Sequence, residues 1–402
     1  MQQRDFRSIL FIFGLSVALL AGDFRAPVGS FDVSVRAALL LLLAIFAMLV
    51  PPKRNAGTPL GPVAVPFFVW IAWLGISALW SPNPVTSGVV ADLLWMALAL
   101  ALTIHLVKVA DRRTLDLLWW FWLAAGLSYF VLASLSGVDG QGRLTLPAGG
   151  PNVFVRVLAL GVISAVFLAY QRRAFWPWPL AFALGIGALL SGSRGGVLGL
   201  AVIAVLAFLP LLRVVRGGTL VLVGTFGGGL GVVGWRVFRD SAPVSSVVEF
   251  VNSRFVEDTL VEGYTAGRDQ ITPLALDIFR DHAAFGAGLD AWQVLQPTSF
   301  VHPHNLYLST AVDGGLVGAA LLTVALLLPL HRAVVSRPLA AGTWAALAAA
   351  LLIFISAMFS GYYYDSRLLW FFLILAVAYS HAGAPRSHER TQDDRSLSAV
   401  AY

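Results

Sequence analysis

The sequence predicts an all-α integral membrane protein, a bundle of about 12 transmembrane helices with one long loop on the outer side. Three observations predict it. Apolar stretches of near-span length recur from one end of the chain to the other, and a hydrocarbon layer about 30 Å thick demands about 20 apolar residues per helical crossing. Of the 402 residues, 58% are hydrophobic and 12% charged, with a mean hydropathy of +0.80, whereas charged residues alone make up about a quarter of a soluble globular chain. Cations sit at alternate interruptions of the apolar pattern, as in a multi-pass protein oriented by its cytoplasmic charge.

The spans are placed at 8–21, 35–50, 61–80, 86–107, 115–135, 152–170, 175–191, 195–212, 218–238, 304–330, 339–360 and 366–381. They are helical because lipid offers no partner to an unpaired backbone amide. Several are short for a full crossing, which predicts tilted, re-entrant or interrupted helices, with Gly227-Gly228-Gly229 and 185–199 the places for a break. Segment 9–21 follows Arg4 and Arg7 as a signal peptide would, but further spans come after it, and it is read as an uncleaved first span. The domain plan is transmembrane helices one to nine over 1–238, a lid loop over 239–303, helices ten to twelve over 304–381, and a disordered cytoplasmic tail over 382–402.

Orientation follows from Arg4/Arg7, Lys53/Arg54, Lys108/Arg112/Arg113, Arg172/Arg173, Arg213/Arg216, Arg332/Arg337 and Arg386/Arg390/Arg395, which mark the cytoplasmic side and place both termini there. Every odd-numbered loop is then outside. The formal net charge of +6 is explained mostly by this topology rather than by a nucleic-acid partner. The absence of cysteine excludes a disulfide framework, a thiolate nucleophile and a cysteine zinc site.

The positive-inside rule leaves Arg143, Arg156, Arg194, Arg236, Arg239, Arg254, Arg268, Arg280 and Arg367 on the outer side or at outer span ends, with Asp92 and Asp313 in the outward halves of spans. Polar groups at membrane depth are costly and tend to line cavities, so the one-sided distribution predicts a site open to the outer leaflet. Snorkelling to lipid phosphate is the competing account for about half of these arginines.

Three motifs carry candidate chemistry. Ser191-Gly192-Ser193-Arg194-Gly195-Gly196 joins two apolar spans; exposed amides and a guanidinium fork can cradle an anion there, and a plain interhelical turn with a snorkelling arginine is the alternative. In Gly267-Arg268-Asp269 the arginine is either a second anion ligand or a salt-bridge partner of Asp269 or Glu262. Gly286 and Gly288 follow no strand, so they make no dinucleotide fingerprint. His302-Pro303-His304-Asn305 stands at the start of a span, where an imidazole of pKa about 6.5 suits a general base and an ordinary helix cap is the bland reading. Zinc ligation by His302, His304 and His282 lacks an i, i+4 pair to support it.

In this order and spacing the motifs resemble the O-antigen ligase and polymerase superfamily of bacterial envelope glycosyltransferases. Leu79-Trp80-Ser81-Pro82-Asn83-Pro84 resembles the family's early outer-loop signature, Arg143 with Pro151-Asn152 its next loop, Ser191 to Gly196 its Ser-Arg-Gly turn, and Arg268, Gly286-Ala287-Gly288 and His304-Asn305 with Gly314/Gly315 its long loop and exit helix. The resemblance implies a bundle with a periplasmic lid in the bacterial inner membrane and a donor glycan on undecaprenyl diphosphate. Arg194, Arg268 and Arg143 would then hold the diphosphate and His304 would activate the acceptor hydroxyl, supported by His302, Asn305, Asn152 and Asp313. Transfer would be inverting, metal-independent and free of cofactors, to lipid A-core in a ligase or to a second lipid-linked glycan in a polymerase. A transporter or flippase is the reading from another class; it would place polar groups near the midplane rather than outward.

Overall fold

The computed structural model describes residues 3–21, 25–28, 31–50, 60–146, 149–214, 242–261, 263, 265, 267–296, 299–335 and 340–382. The helices are α1 (Gln3–Leu20), α2 (Val35–Met48), α3 (Leu60–Ser77), α4 (Ser87–Val109), α5 (Arg112–Ser136), α6 (Gly150–Arg172), α7 (Pro177–Leu190), α8 (Arg194–Val214), α9 (Ala242–Val251), α10 (Arg268–Asp281), α11 (Trp292–Leu295), α12 (Leu306–Val335), α13 (Ala341–Ala357) and α14 (Arg367–Ala382). Each expected span within these residues falls on a helix. The expected span at 218–238, with Arg236 and Arg239, and the tail from 383 lie outside the described residues.

The chain is a multi-pass membrane protein. The stretches Leu60–Trp80, Ser87–Val109, Arg112–Ser136, Gly150–Arg172 and Leu306–Val335 are long and apolar enough to cross a membrane, and shorter apolar helices pack among them. The architecture is all-helical as expected, with one short antiparallel pair, β1 (Arg25–Val28) and β2 (Phe31–Ser34), in a connection. Four-residue strands in an interhelical loop have too little alternation to be read from sequence.

Close backbone approach shapes the bundle. A Cβ added at Gly126 on α5 would lie 3.1 Å from the Cα of Gly161 on α6, and one at Gly196 on α8 would lie 2.1 Å from Val155 Cγ1 on α6. Lipid supplies no hydrophobic contrast between helices, so small residues that permit tight van der Waals packing take over that role. Arg36 bridges to Asp92 and lies 4.0 Å above the Tyr364 ring, while Arg367 Nε donates to the Leu19 carbonyl at 2.7 Å. The snorkelling account therefore does not hold for Arg367, which is buried.

The interruption expected near 185–199 is a turn between α7 and α8; among the described helices α12 is broken internally, at Gly315 (φ 65, ψ −160), and Gly227-Gly228-Gly229 lies outside the described residues. Segment 283–288 enters that break. Ala287 and Gly288 donate to the carbonyls of Val312 and Asp313 at 2.8 and 3.2 Å, and Leu316 donates to Ala283 at 2.8 Å. The freed backbone groups of the helix are thus satisfied by another backbone, as hydrocarbon surroundings require. Trp80 Nε1 donates to the Gly286 carbonyl at 3.2 Å, and Ser81 Oγ donates to Leu289 at 2.6 Å. The early Trp-Ser-Pro-Asn-Pro loop is therefore a clamp on this plug. Asn83 meets Asp290, Asn152 meets Ser193 and Ser360, and Arg268 meets Phe359, so these connections gather at one end of the bundle.

Candidate active site

The turn from α7 to α8 is built by its glycines. Gly192 adopts φ +63, and a side chain there would meet Phe250 Cζ at 3.2 Å and Arg143 Cγ at 3.5 Å. At Gly195 it would meet Phe359 Cβ at 2.8 Å. The small residues therefore admit a neighbouring guanidinium stem and an aromatic from the loop 242–305. Arg143 comes from a short hairpin in which Asp139 Oδ1 accepts from the amides of Gln141 and Arg143, and Leu144 donates to the Leu190 carbonyl at 2.9 Å.

Five guanidinium groups line one cavity of about 190 Å³: Arg143, Arg156, Arg194, Arg254 and Arg268, with Asn152 and Ser193. The three arginines expected from the sequence are thus brought together. Arg156 and Arg254 join them. Arg156 lies one helical turn after Asn152 on α6, and its Nε is buried with no hydrogen-bond partner among the described residues. Burial, followed by the charge of Arg194, pushes the Arg268 pKa down, as expected where like charges crowd together.

The turn after α13 holds these side chains in place. Met358 accepts from Asn305 Nδ2 at 3.2 Å, Phe359 from Arg268 Nη2 at 2.7 Å, and Ser360 from Arg156 Nη2 at 3.1 Å. Ser360 Oγ accepts from Asn152 Nδ2 at 2.9 Å, and Asn152 Oδ1 accepts from Ser193 Oγ at 2.7 Å. Of the partners expected for Arg268 in a salt bridge, Asp269 accepts from Thr265 instead, and Glu262 lies outside the described residues. Arg280 pairs with Asp277 on an exposed helix face and stands apart from the cavity.

His304 sits two residues before α12 with φ +54, and Asn305 Oδ1 caps the helix by accepting from the amides of Tyr307 and Leu308 at 3.0 and 3.1 Å. The left-handed backbone of a residue with a Cβ costs on the order of 1–2 kcal/mol and is a frequent mark of functional positions. Burial first, and Arg268 second, lower the His304 pKa, so the ring is neutral at pH 7. His304 does not itself line the arginine cavity; the turn 358–359, which accepts from both Arg268 and Asn305, joins the two.

Behind it lies a polar cluster that sequence reasoning missed apart from His302 and Asp313. The His302 ring is 4.3 Å from His304 and 5.2 Å from Tyr362, and burial pushes its pKa down to about 4. Asp313 accepts from Tyr362 and Tyr363 at 3.0 and 2.8 Å, so it belongs to this cluster and not to the arginine cavity. Asp290, pushed up to about 6 by burial, accepts from Asn83 Nδ2 at 2.9 Å. His282 Nδ1 bonds the Ile278 carbonyl of its own helix, and no cluster of three metal-ligating side chains is found among the described residues.

Apolar helices of crossing length carry at one end a cavity lined by arginines, a donor set suited to an anion. Residues 179–323 match the family model of O-antigen ligases. The match includes Arg194, Arg254, Arg268, His302, His304 and Asp313, and leaves Arg143, Asn152 and Arg156 outside it. A search of curated proteins found no match.

Proposed function

We propose that this protein transfers a glycan from undecaprenyl diphosphate to an acceptor sugar hydroxyl at the periplasmic face of the inner membrane, as an O-antigen ligase does. The observation that carries this reading is the joining of Arg143, Arg194 and Arg268 in one cavity, with Arg268 and Asn305, the residue after His304, both bonded to the turn 358–359. A neutral imidazole takes the proton of the acceptor hydroxyl. The oxygen attacks the anomeric carbon opposite the diphosphate, the bond to the diphosphate breaks, and the electron pair goes to the departing phosphoryl oxygen, which inverts the centre. Guanidinium groups fixed before the reaction stabilise that developing charge, the part a divalent cation plays elsewhere, so the reaction is metal-independent. Asn305 and the turn 358–360 keep His304 and the arginines in register.

A polymerase uses the same donor site and differs in its acceptor. The test is an in vitro transfer assay with purified lipid-linked glycan, offering lipid A-core in one arm and a second lipid-linked glycan in the other. Product in the first arm supports the ligase, product in the second alone supports the polymerase, and transbilayer movement of donor with no product in either sinks both.

A further inference from the structure

Residues 242–261 bring a carboxylate into contact with the arginine cavity. Phe250 of this arm closes over Gly192, within 3.2 Å of where a side chain there would stand. One turn on, Arg254 contributes its guanidinium to the cavity lining. Asp258 then places a single oxygen, Oδ2, on Arg254 Nη1 at 2.9 Å and on Arg194 Nη2 at 3.4 Å. Its side chain keeps 32% of its accessible surface, so it can leave these partners without crossing a packed core.

The chemistry of this contact resembles that of the proposed ligand. An oxyanion accepts from two guanidinium groups, which is the bonding a phosphoryl oxygen would make with the same N–H groups. Five arginines around a cavity of about 190 Å³ also raise a problem of turnover. A diphosphate keeps its charge after the glycan has left, so a site that holds the donor by charge alone holds the product as firmly, and release can then limit the rate.

We infer that Asp258 is an internal competitor for Arg194 and Arg254, occupying them in the empty site and taking them back when the spent diphosphate departs. The inference rests on the proposed diphosphate role of the cavity. It assigns Asp258 to turnover and not to the chemical step, and it distinguishes this role from simple bracing of the arginines, which would make Asp258 favour ligand binding.

The test measures binding of inorganic pyrophosphate to the full-length protein in detergent by titration calorimetry. Asp258→Asn and Asp258→Ala each remove the competing charge by a different route, and each is expected to tighten pyrophosphate binding by about three- to tenfold, the scale set by two partly exposed ion pairs. Asp258→Glu keeps the charge and should stay within about twofold of the wild type. In transfer assays Asp258→Asn should show slower steady-state turnover with an unchanged first turnover and stronger inhibition by added pyrophosphate. Weaker or unchanged binding in both neutral variants overturns the competitor role while leaving the cavity's assignment standing. Absence of pyrophosphate binding in the wild type overturns the cavity's assignment itself.

Discussion

Arg268 Nη2 donates to the backbone carbonyl of Phe359 at 2.7 Å, tying the first residue of α10 to the turn that follows α13. One edge of the guanidinium is held by protein backbone while the group still faces the cavity. Lysine cannot do both, because a single ammonium lacks the fixed fork. Arg268→Lys should therefore weaken pyrophosphate binding about tenfold or more, read by titration calorimetry, with little change in unfolding temperature. Arg194→Lys should act in the same direction. Unchanged affinity in both would remove the arginines from the donor site.

His304→Asn separates chemistry from backbone. Asparagine tolerates the left-handed conformation that His304 adopts at φ +54, so the entry to α12 should survive. Loss of a general base costs about 10²- to 10⁴-fold in rate. Glycan transfer should drop on that scale in reconstituted vesicles while pyrophosphate affinity stays within a few-fold. Full activity would eliminate His304 as the base.

Acid should act on the histidines through their burial. The folded pKa of His302 lies at about 4, below its unfolded value near 6.5, so the stability gained by keeping it neutral is present above pH 6.5 and is lost as pH falls towards 4. Asp290, raised to about 6, works in the opposite sense, favouring the folded state as pH falls through 6. The wild type alone mixes the two. Comparing unfolding temperatures of wild type and His302→Phe at pH 7.5 and 4.5 isolates the first effect: the variant should gain on the wild type at the lower pH. Since the His304 pKa is also depressed, the acid limb of the transfer rate should fall below pH 6.5.

Gly286→Ala tests the plug in α12. A Cβ there would stand 2.4 Å from the Asp313 carbonyl oxygen, at a φ of +78 that alanine rarely adopts. Backbone on both sides cannot yield cheaply, so the cost should be about 3 kcal/mol or more. A large drop in unfolding temperature or in yield of folded protein checks this. Because Asp313 and the approach to His304 share α12, any folded fraction should also transfer glycan poorly.

Part of the candidate site is legible in the sequence. Arg194 in a Ser-Arg-Gly turn, Arg143 and Arg268 in outer loops, and His304 ahead of a span each stand where local pattern and charge asymmetry point, and the first three share one cavity. Arg156 was not distinguishable from a snorkelling cation, although its placement one turn after Asn152 was the available signal. Arg254 lay in a loop of mixed charge. Nothing in composition could mark the carbonyls of Met358, Phe359 and Ser360 as the common anchor, because every residue carries such a group. Gly286, Gly288, Gly314 and Gly315 were visible as a pattern, but their meaning as a backbone plug in a broken helix was not.

The apolar runs and the alternation of cations by themselves determined that this chain crosses a membrane many times and gathers its unexplained charge on one side. That much is local: each span must satisfy its own backbone in lipid, whatever its neighbours do. Which arginines meet, which carboxylate reaches them and which histidine stands beside them was decided only by tertiary packing. Close approach at Gly126, Gly161 and Gly196, and the insertion of one loop into α12, set those distances through contacts between segments far apart in the chain.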